Sequence, residues 1–442
     1  MSAQTVGLLS LGLLIVLLLA KLPVAFVMLA LGMGGLYIIK GAGSMFVTSS
    51  SVVFGTFSSY FLVVVPLFTW MGYIGFHSGI SAHLYEAAYK TVGRLKGGLA
   101  MATTMACAAF GAICGSTTAT SATFASLAMP EMKQRGYSRG LAGANVAASG
   151  ILGVLIPPSV IFIVYASFTA QSISRLFLAG IVPGLILMVL FMGGTFLRVF
   201  RHPEIAPAGE SFPWKERIKA VATGGIEVVI IFVAVIGMLV GKKIWPGFPF
   251  TITGTEAGSM GCFATLVVVL ARRLLTWQGF LNSLKDTVRT ATMVMFLVAG
   301  AAIFGTFLEL TYLPQVVAGW LVALPLPPTV TMIAILLMLM ALGCFVDALA
   351  MILLTIPIFF PAAMALGFNP IWFGVIMTLA LGMGVLTPPV GANVYVVFAV
   401  DKETPVMEIF RETWPYLISI WILCGLLLLF PQIALWLPGL TG

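Results

Sequence analysis

Two pairs of consecutive prolines interrupt long apolar stretches of the chain, Pro157-Pro158 and Pro388-Pro389. Proline has no backbone N–H and pushes the residue before it out of helical geometry, so a helix must break at each pair. A broken helix leaves carbonyl groups without donors, and at membrane depth such groups are tolerated only where protein, water or a ligand satisfies them. Oxygen atoms are the ligands that hard cations prefer. We therefore expect two pseudo-equivalent cation sites, with Na⁺ as the natural occupant.

Polar side chains near both breaks would add further oxygen atoms. Asp347 differs from the rest, because a carboxylate within a membrane segment is costly and is by default functional. The neutral groups are less specific, since small hydroxyl residues also pack membrane helices together. No lysine or arginine lies deep in these segments, so an anionic substrate would have to meet the partially positive N-termini of half-helices. The neutral candidates are Ser116, Thr117, Thr118, Ser159, Thr387 and Asn393.

Composition identifies the kind of chain that carries these residues. Of the 442 residues, 60% are apolar and 8% are charged, whereas a soluble domain carries about 25% charged residues. Apolar runs near the ~20 residues needed to span a bilayer recur from end to end. Disorder, secretion and nucleic-acid binding are excluded, and no constellation of catalytic residues is present. The sequence predicts an all-α polytopic membrane protein that is not an enzyme.

Ten apolar segments are predicted to cross the membrane, and two further stretches, 97–130 and 328–361, are each divided near the middle by small or polar residues. Each half has about 13 residues, or roughly 20 Å of helix, too short to cross ~30 Å of hydrocarbon. We expect both to be re-entrant helical hairpins. A stretch at 276–289 has helical periodicity and is expected either to lie along the membrane interface or to begin a membrane helix. The crossings are expected at 6–20, 23–39, 58–76, 140–168, 176–197, 226–241, 257–271, 291–308, 371–400 and 415–435.

The chain contains an internal repeat. A shift of 231 positions places GVLIPP at 153–158 on GVLTPP at 384–389, and it aligns Ser116 with Asp347. With an outward N-terminus, 18 of the 22 basic residues fall on one side of the membrane, which the positive-inside rule makes cytoplasmic. Both termini are then periplasmic and the two copies begin on opposite sides. An inverted repeat of this kind marks secondary transporters, in which substrate and ions bind where broken helices meet.

The large membrane subunit of TRAP transporters, the DctM-like family, resembles this chain over about 90–430. The resemblance is carried by GSTTATSATFASLAMPEMKQRGYSRGLAGANVAASGILGVLIPPSVIFIVYA and by FVDALAMILLTIPIFFPAAMALGFNPIWFGVIMTLALGMGVLTPPVG. It implies a Na⁺-driven importer of an organic acid anion, such as sialate or a C4-dicarboxylate, in the bacterial inner membrane. It also implies an elevator mechanism in the ion-transporter superfold and two partners. These are a periplasmic substrate-binding protein (DctP-like) and a separate small four-helix membrane subunit (DctQ-like).

The resemblance also implies roles for individual residues. The family often has two serines where this chain has Ser116-Thr117, and often a glycine pair where it has Ser149-Gly150, which could alter the first site. Substrate contacts are predicted at Thr118, Asn145, Ser159 and Asn393. The first sodium site would use Gly115, Ser116, Thr117, Gly153 and Pro157, and the second Gly343, Asp347, Thr387, Pro388 and Gly391.

Five segments are predicted along the chain. Two halves of a transport domain, 96–175 and 328–402, each contain one hairpin and one broken helix. Scaffold helices occupy 1–95, 176–327 and 403–442.

Two other classes of membrane protein remain as alternatives. The more similar alternative is a standalone Na⁺/dicarboxylate or citrate symporter of the same superfold. The strong motif match to TRAP transporters and the short 201–219 loop argue against it. An ion channel or a purely structural membrane subunit would need neither an inverted repeat nor paired broken helices.

Overall fold

The computed structural model describes residues 2–20, 22–237 and 253–441. Within these ranges all regular structure is helical, apart from one bridge between Lys96 and Ala208. Three lysines of the charge count, Lys21, Lys242 and Lys243, lie outside the described residues. The helices are α1 (Ala3–Leu19), α2 (Val24–Phe57), α3 (Val64–Ser78), α4 (Ile80–Val92), α5 (Gly98–Cys114), α6 (Thr117–Gln134), α7 (Arg139–Ser149), α8 (Leu152–Leu155), α9 (Val160–Thr169), α10 (Ile173–Arg201), α11 (Trp214–Ala220), α12 (Ile226–Phe232), α13 (Gly254–Ala271), α14 (Trp277–Leu310), α15 (Leu313–Ala323), α16 (Pro328–Gly343), α17 (Ala348–Ala365), α18 (Pro370–Gly384), α19 (Ala392–Val400), α20 (Val406–Glu412), α21 (Trp414–Leu429) and α22 (Gln432–Thr441).

Seven helical segments of the described chain are long and apolar enough to cross a membrane, and two bent helix pairs raise the number to nine. The bent pairs are 139–155 with α9, at 44°, and α20 with α21, at 40°. Eight of the ten predicted crossings are among these nine. The ninth is α17, one arm of the second predicted hairpin, which has 18 residues rather than the predicted length of about 13. The other two predicted crossings, at 6–20 and 371–400, correspond to shorter apolar helices, α1 and α18. The prediction of an all-α polytopic membrane protein is confirmed.

Several helical stretches lie outside the predicted segments. They include α4, α15 and the half of α2 that follows a kink at Gly41, where φ is 78°. A search for long apolar runs does not detect α4, because polar residues alternate with apolar ones along it. Helix α14 runs unbroken from 277 to 310. The stretch at 276–289 is therefore the start of a membrane helix and not a separate interfacial one.

The stretch at 97–130 folds into a hairpin made of α5 and α6. The Phe110 and Phe124 rings pack edge to face with centroids 5.8 Å apart, although fourteen residues of continuous helix would separate them by about 21 Å. At the other end, the Leu99 backbone N–H donates to the Tyr137 hydroxyl over 3.2 Å. The chain therefore enters and leaves hairpin 1 (residues 98–134) at the same end.

The second hairpin, α16 and α17, folds back in the same way. A Cβ placed on Gly343 would lie 3.0 Å from Met351 Sδ, although eight residues of continuous helix span about 12 Å. Both ends of α17 are displaced by 231 residues from those of α6, and α18 begins 231 residues after α7. Both proline pairs are cis, and Gly136 and Gly367 both have left-handed backbones, with φ of 79° and 83°. The repeat seen in the sequence is thus a repeat of structure.

The two broken helices form the centre of the molecule. Gly140–Ser149 of α7 and Ile371–Gly384 of α18 are buried without interruption. Helix α21 packs against both: Asn145 Nδ2 donates to the Tyr416 hydroxyl over 3.1 Å, and Trp372 Nε1 donates to the Leu427 carbonyl over 3.0 Å. The hairpin tips are held against this core.

Candidate functional site

The tip of hairpin 1 lies against the break in the first broken helix. Gly115 ends α5 with a left-handed backbone, φ 66°, and a Cβ there would lie 2.7 Å from the Pro158 carbonyl oxygen. Only glycine meets both requirements, since other residues disfavour this φ and would clash. The Gly115 carbonyl in turn accepts a long hydrogen bond, 3.4 Å, from the Val160 N–H just beyond the prolines.

Gly153 brings the helix before the break equally close to the tip. A Cβ on Gly153 would lie 2.9 Å from the Ser116 carbonyl oxygen and 2.5 Å from Thr120 Oγ1. The helical donor for the Gly153 carbonyl would be residue 157, which is a proline and has no N–H. The predicted first sodium residues Gly115, Ser116, Thr117, Gly153 and Pro157 are therefore brought together at one backbone contact rich in carbonyl oxygens.

Hairpin 2 meets the second break in a matching contact. The Val390 N–H donates to the Cys344 carbonyl over 3.2 Å, and a Cβ on Gly384 would lie 2.5 Å from Gly343 Cα. Gly391 has a left-handed backbone, φ 53°, and a Cβ there would lie 3.3 Å from the Thr387 carbonyl oxygen. The Thr387 hydroxyl itself donates to the Met383 carbonyl over 2.7 Å.

The remaining second-site residues also lie around this contact. Asp347 follows the hairpin tip and begins α17 as its N-cap, with Oδ2 accepting from the Leu349 N–H over 3.1 Å. Pro388 is the first proline of the break itself. The second set therefore clusters like the first, with one carboxylate in addition.

Both hairpin tips open on the same cavity, of about 440 Å³. Ser116, Thr117 and Thr118 line it from hairpin 1, and the exposed carboxylate of Asp347 lines it from hairpin 2. Among the described residues that line this cavity, only Asp347 is charged. Helices α3 and α14 form another wall of the cavity, with Thr69, Gly72, Tyr73, Phe76, Thr290, Met293 and Val294.

The four predicted substrate contacts fall in different places. Thr118 lines the cavity, and its hydroxyl lies 3.2 Å from Ser116 Oγ. Ser159 is buried as the N-cap of α9, and Asn393 is buried with Nδ2 donating to the Ala147 carbonyl over 3.1 Å. Asn145 is buried and donates to Thr104 Oγ1 over 3.0 Å as well as to Tyr416. Of the four, the structure brings only Thr118 to the cavity surface.

Sequence reasoning missed the cavity residues of α3 and α14. Tyr73 and Thr290 are single polar residues in otherwise apolar helices, far from the repeat motifs. In such helices a hydroxyl residue can equally well pack one helix against another as line a binding cavity. Only the three-dimensional arrangement brings them to the cavity that the hairpin tips also line.

Two hairpins, each meeting a broken helix beside one shared cavity in an all-α polytopic chain, define a membrane transporter fold. Solved transporters share it. The chain is similar to the YdaH transporter of Alcanivorax borkumensis, with a TM-score of 0.61, 16% identity and 89% of both chains covered. It is also similar to MtrF of Neisseria gonorrhoeae, with a TM-score of 0.54, 15% identity, and 88% and 85% covered.

Within this class, residues 11–433 match the family model described as the DctM component of the tripartite ATP-independent periplasmic transporter, and the chain belongs to this family. It is 32% identical to the C4-dicarboxylate TRAP transporter large permease protein DctM of Pseudomonas aeruginosa, over 88% of this chain and 89% of the relative. It is 31% identical to the sialic acid large permease protein SiaM of Vibrio cholerae, over 96% of each. An ectoine/5-hydroxyectoine permease protein, UehC of Ruegeria pomeroyi, is 30% identical over 86% of each chain. The resemblance noted in the sequence is confirmed, and the chain is a transporter permease subunit rather than an enzyme.

Proposed function

We propose that this chain imports an organic acid anion together with Na⁺ across the bacterial inner membrane. The observation that carries the proposal is the pair of matched contacts between hairpin tips and helix breaks, which flank a single cavity. Each contact is rich in carbonyl oxygens, and one adds the Asp347 carboxylate. An oxygen-rich site of this kind suits a hard cation. Two bound cations would offset the charge of an acid in a cavity whose described lining contains no lysine or arginine.

The acid is proposed to reach the cavity by way of two partners. The relatives are named as large permease proteins of TRAP transporters of C4-dicarboxylate, sialic acid and ectoine. By analogy, a periplasmic binding protein delivers the acid and a small four-helix membrane subunit completes the complex. A standalone symporter is less well supported, because the family match covers residues 11–433.

Movement is proposed to be of the elevator type. Helix α3 contacts hairpin 1 through glycines: a Cβ on Gly72 would lie 3.0 Å from Cys114 Cα, and one on Gly75 would lie 3.1 Å from Ile113 Cγ2. Close contact without interdigitating side chains suits two surfaces that slide. We propose that the hairpins and broken helices move past α3 and α14. Helices α10 and α21, which the sequence assigned to the scaffold, are proposed to move with them. Helix α21 is hydrogen-bonded to the core, and the Thr195 hydroxyl of α10 lies 3.0 Å from the Tyr416 hydroxyl of α21.

Reconstitution tests this function. Proteoliposomes containing this chain, its small subunit and its binding protein should accumulate a panel of acids (succinate, malate, 3-hydroxybutyrate, butyrate, sialic acid, isethionate and ectoine). At least one should accumulate only under an inward Na⁺ gradient. Omission of the binding protein should abolish uptake. Equal uptake with K⁺ in place of Na⁺ would remove the coupling claim, and uptake without the binding protein would favour the standalone symporter.

A further inference from the structure

The cavity has a polar feature on the wall formed by α3 and α14. Tyr73 of α3 and Thr290 of α14 both line the cavity and are half-buried, and their hydroxyl oxygens lie 2.7 Å apart. Their neighbours on this wall include Phe76, Met293 and Val294. A polar pair on a mostly apolar wall is the kind of group that orients a ligand and sets its specificity.

The two helices that carry this pair are joined firmly to each other. Trp70 Nε1 donates to Ser283 Oγ over 3.2 Å, and His77 Nε2 lies 2.9 Å from the Asp286 carboxylate. With the Tyr73 contact, three polar side-chain pairs link α3 to α14. The hydroxyl pair is therefore held in a fixed position before any ligand arrives, which lowers the entropic cost of binding.

The chemistry of the pair limits what it can bind. Each hydroxyl has one donor and two acceptor lone pairs. Their mutual bond uses one donor, so the pair presents one free O–H together with free lone pairs. A substrate hydroxyl, which both donates and accepts hydrogen bonds, complements this free donor and these free acceptors. A second carboxylate would match it less well, because none of the described residues that line the cavity is positively charged and Asp347 lines the same cavity.

We propose that Tyr73 and Thr290 form a subsite for a hydroxyl group of the transported acid, while the hairpin tips hold its carboxylate. The inference rests on the proposed function and narrows its substrate class to hydroxy acids. Because α3 and α14 do not move in that function, the subsite contacts the acid only when the hairpins occupy the position seen here. It therefore adds affinity on one side of the transport cycle.

Matched pairs of acids test the subsite in the reconstituted complex. Uptake of malate is compared with that of succinate, and uptake of 3-hydroxybutyrate with that of butyrate, because each pair differs by one hydroxyl. The wild type should prefer the hydroxylated member of at least one pair. Tyr73→Phe and Thr290→Val should each reduce that preference about three- to tenfold, the effect of one hydrogen bond. The reduction should appear as a higher KM for the hydroxylated acid, with kcat and the Na⁺ concentration for half-maximal uptake little changed.

Thr287→Val is the matched control. Thr287 lies one turn earlier on α14, is buried, and donates to the Ser283 carbonyl over 2.6 Å, outside the cavity lining. It should leave the preference unchanged, and thermal unfolding should show that all three variants fold.

Several results would overturn the subsite. Equal loss of uptake for both members of a pair would indicate that Tyr73 and Thr290 only pack the helices together. If the wild type prefers succinate over both malate and butyrate and the variants weaken that preference, the pair binds a second carboxylate of the substrate. A wild type that distinguishes neither pair would also overturn it. If that same wild type still takes up another acid with Na⁺, the proposed function stands and only the subsite fails.

Discussion

Ser116 and Asp347 are structural equivalents: each is the N-cap of the second arm of its hairpin, and both line the same cavity. Ser116 Oγ accepts from the Ala119 N–H over 3.4 Å, and Asp347 Oδ2 accepts from the Leu349 N–H over 3.1 Å. The two tips thus differ by one negative charge at a matched position. This difference predicts that the two proposed sodium sites are unequal.

Asp347→Asn should greatly weaken the stabilisation of the purified protein by Na⁺, whereas Ser116→Ala should only shift it to higher Na⁺ concentration. A charge-assisted contact is roughly twice as strong as a neutral one, and Ser116 would be one neutral ligand among carbonyls. The melting temperature is measured against NaCl at constant ionic strength with KCl, since a ligand that binds only the folded form stabilises it by mass action. Wild-type Na⁺ stabilisation in Asp347→Asn would show that the carboxylate has no part in cation binding.

Gly72→Ala should lower both stability and uptake. The added methyl group would lie 3.0 Å from the Cα and carbonyl oxygen of Cys114, which are backbone atoms that cannot turn away. Overpacking of this kind costs about 1–3 kcal/mol and would obstruct sliding. Gly12→Ala is the control, because no atom of the described residues lies within 4 Å of its Cβ position. It should be neutral or slightly stabilising, as alanine favours helix, and equal behaviour of the two variants would argue against a close sliding contact.

The features that the sequence could predict are those that depend on local chemistry. Pro157-Pro158 breaks a helix wherever it lies, so the breaks and the repeat follow directly from residue identity. The partners of Asn145 and Tyr73 do not, because they come from helices distant in the chain. Asn145 resembles a cavity residue in its sequence context but faces Tyr416, and Tyr73 resembles a packing residue but faces the cavity. Which side of a buried helix meets water or ligand is decided by tertiary packing.

An ion pair between the repeats should make stability depend on pH. Partial burial alone would raise the pKa of Asp401, but contacts of 2.6 Å with Lys133 Nζ and with Thr404 Oγ1 outweigh it and hold that pKa below its ordinary value. A lowered folded-state pKa stabilises above the unfolded carboxyl pKa, about 3.9, and the stabilisation is lost as the pH falls through the folded value.

Asp401→Asn should accordingly melt at a lower temperature than the wild type at pH 7, with the difference shrinking below about pH 4. Glu403→Gln is the control, since Glu403 lies farther from Lys133, at 3.4 Å, and its side chain is 71% exposed. The melting temperatures of all three proteins are compared between pH 3.5 and 8. A constant gap between Asp401→Asn and the wild type would mean that the ion pair does not contribute.

Asn145→Ala should destabilise the protein without changing its affinity for substrate. The hydrogen bonds that its side-chain amide donates to the Thr104 and Tyr416 hydroxyls are buried. Leaving a buried polar group without its partner lowers the free energy of unfolding by about 1–3 kcal/mol. Thr118→Val should instead weaken the affinity for substrate and leave stability unchanged, because Thr118 lines the cavity. Melting temperature and KM are measured for both variants. A raised KM with normal stability in Asn145→Ala would restore its predicted contact with substrate.

Two cysteine pairs should show which helices move together. Gly194 of α10 faces Ser419 of α21, with its Cβ position 3.4 Å from Ser419 Oγ, and both helices belong to the proposed moving body. Gly75 of α3 faces Ile113 of hairpin 1 across the proposed sliding contact, with its Cβ position 3.1 Å from Ile113 Cγ2. In both pairs the glycine Cβ position contacts a γ atom of the facing side chain, which is the place that a cysteine sulfur would occupy. Oxidation of Gly194→Cys/Ser419→Cys should leave uptake intact, because a bond within one body does not restrain its motion. Oxidation of Gly75→Cys/Ile113→Cys should stop uptake, and reduction should restore it.

The five native cysteines are buried, and the singly substituted proteins control for their reaction with the oxidant. If both crosslinks stop uptake, α10 and α21 move relative to each other. If neither does, hairpin 1 does not slide past α3, and a fixed pathway through the cavity would replace the elevator.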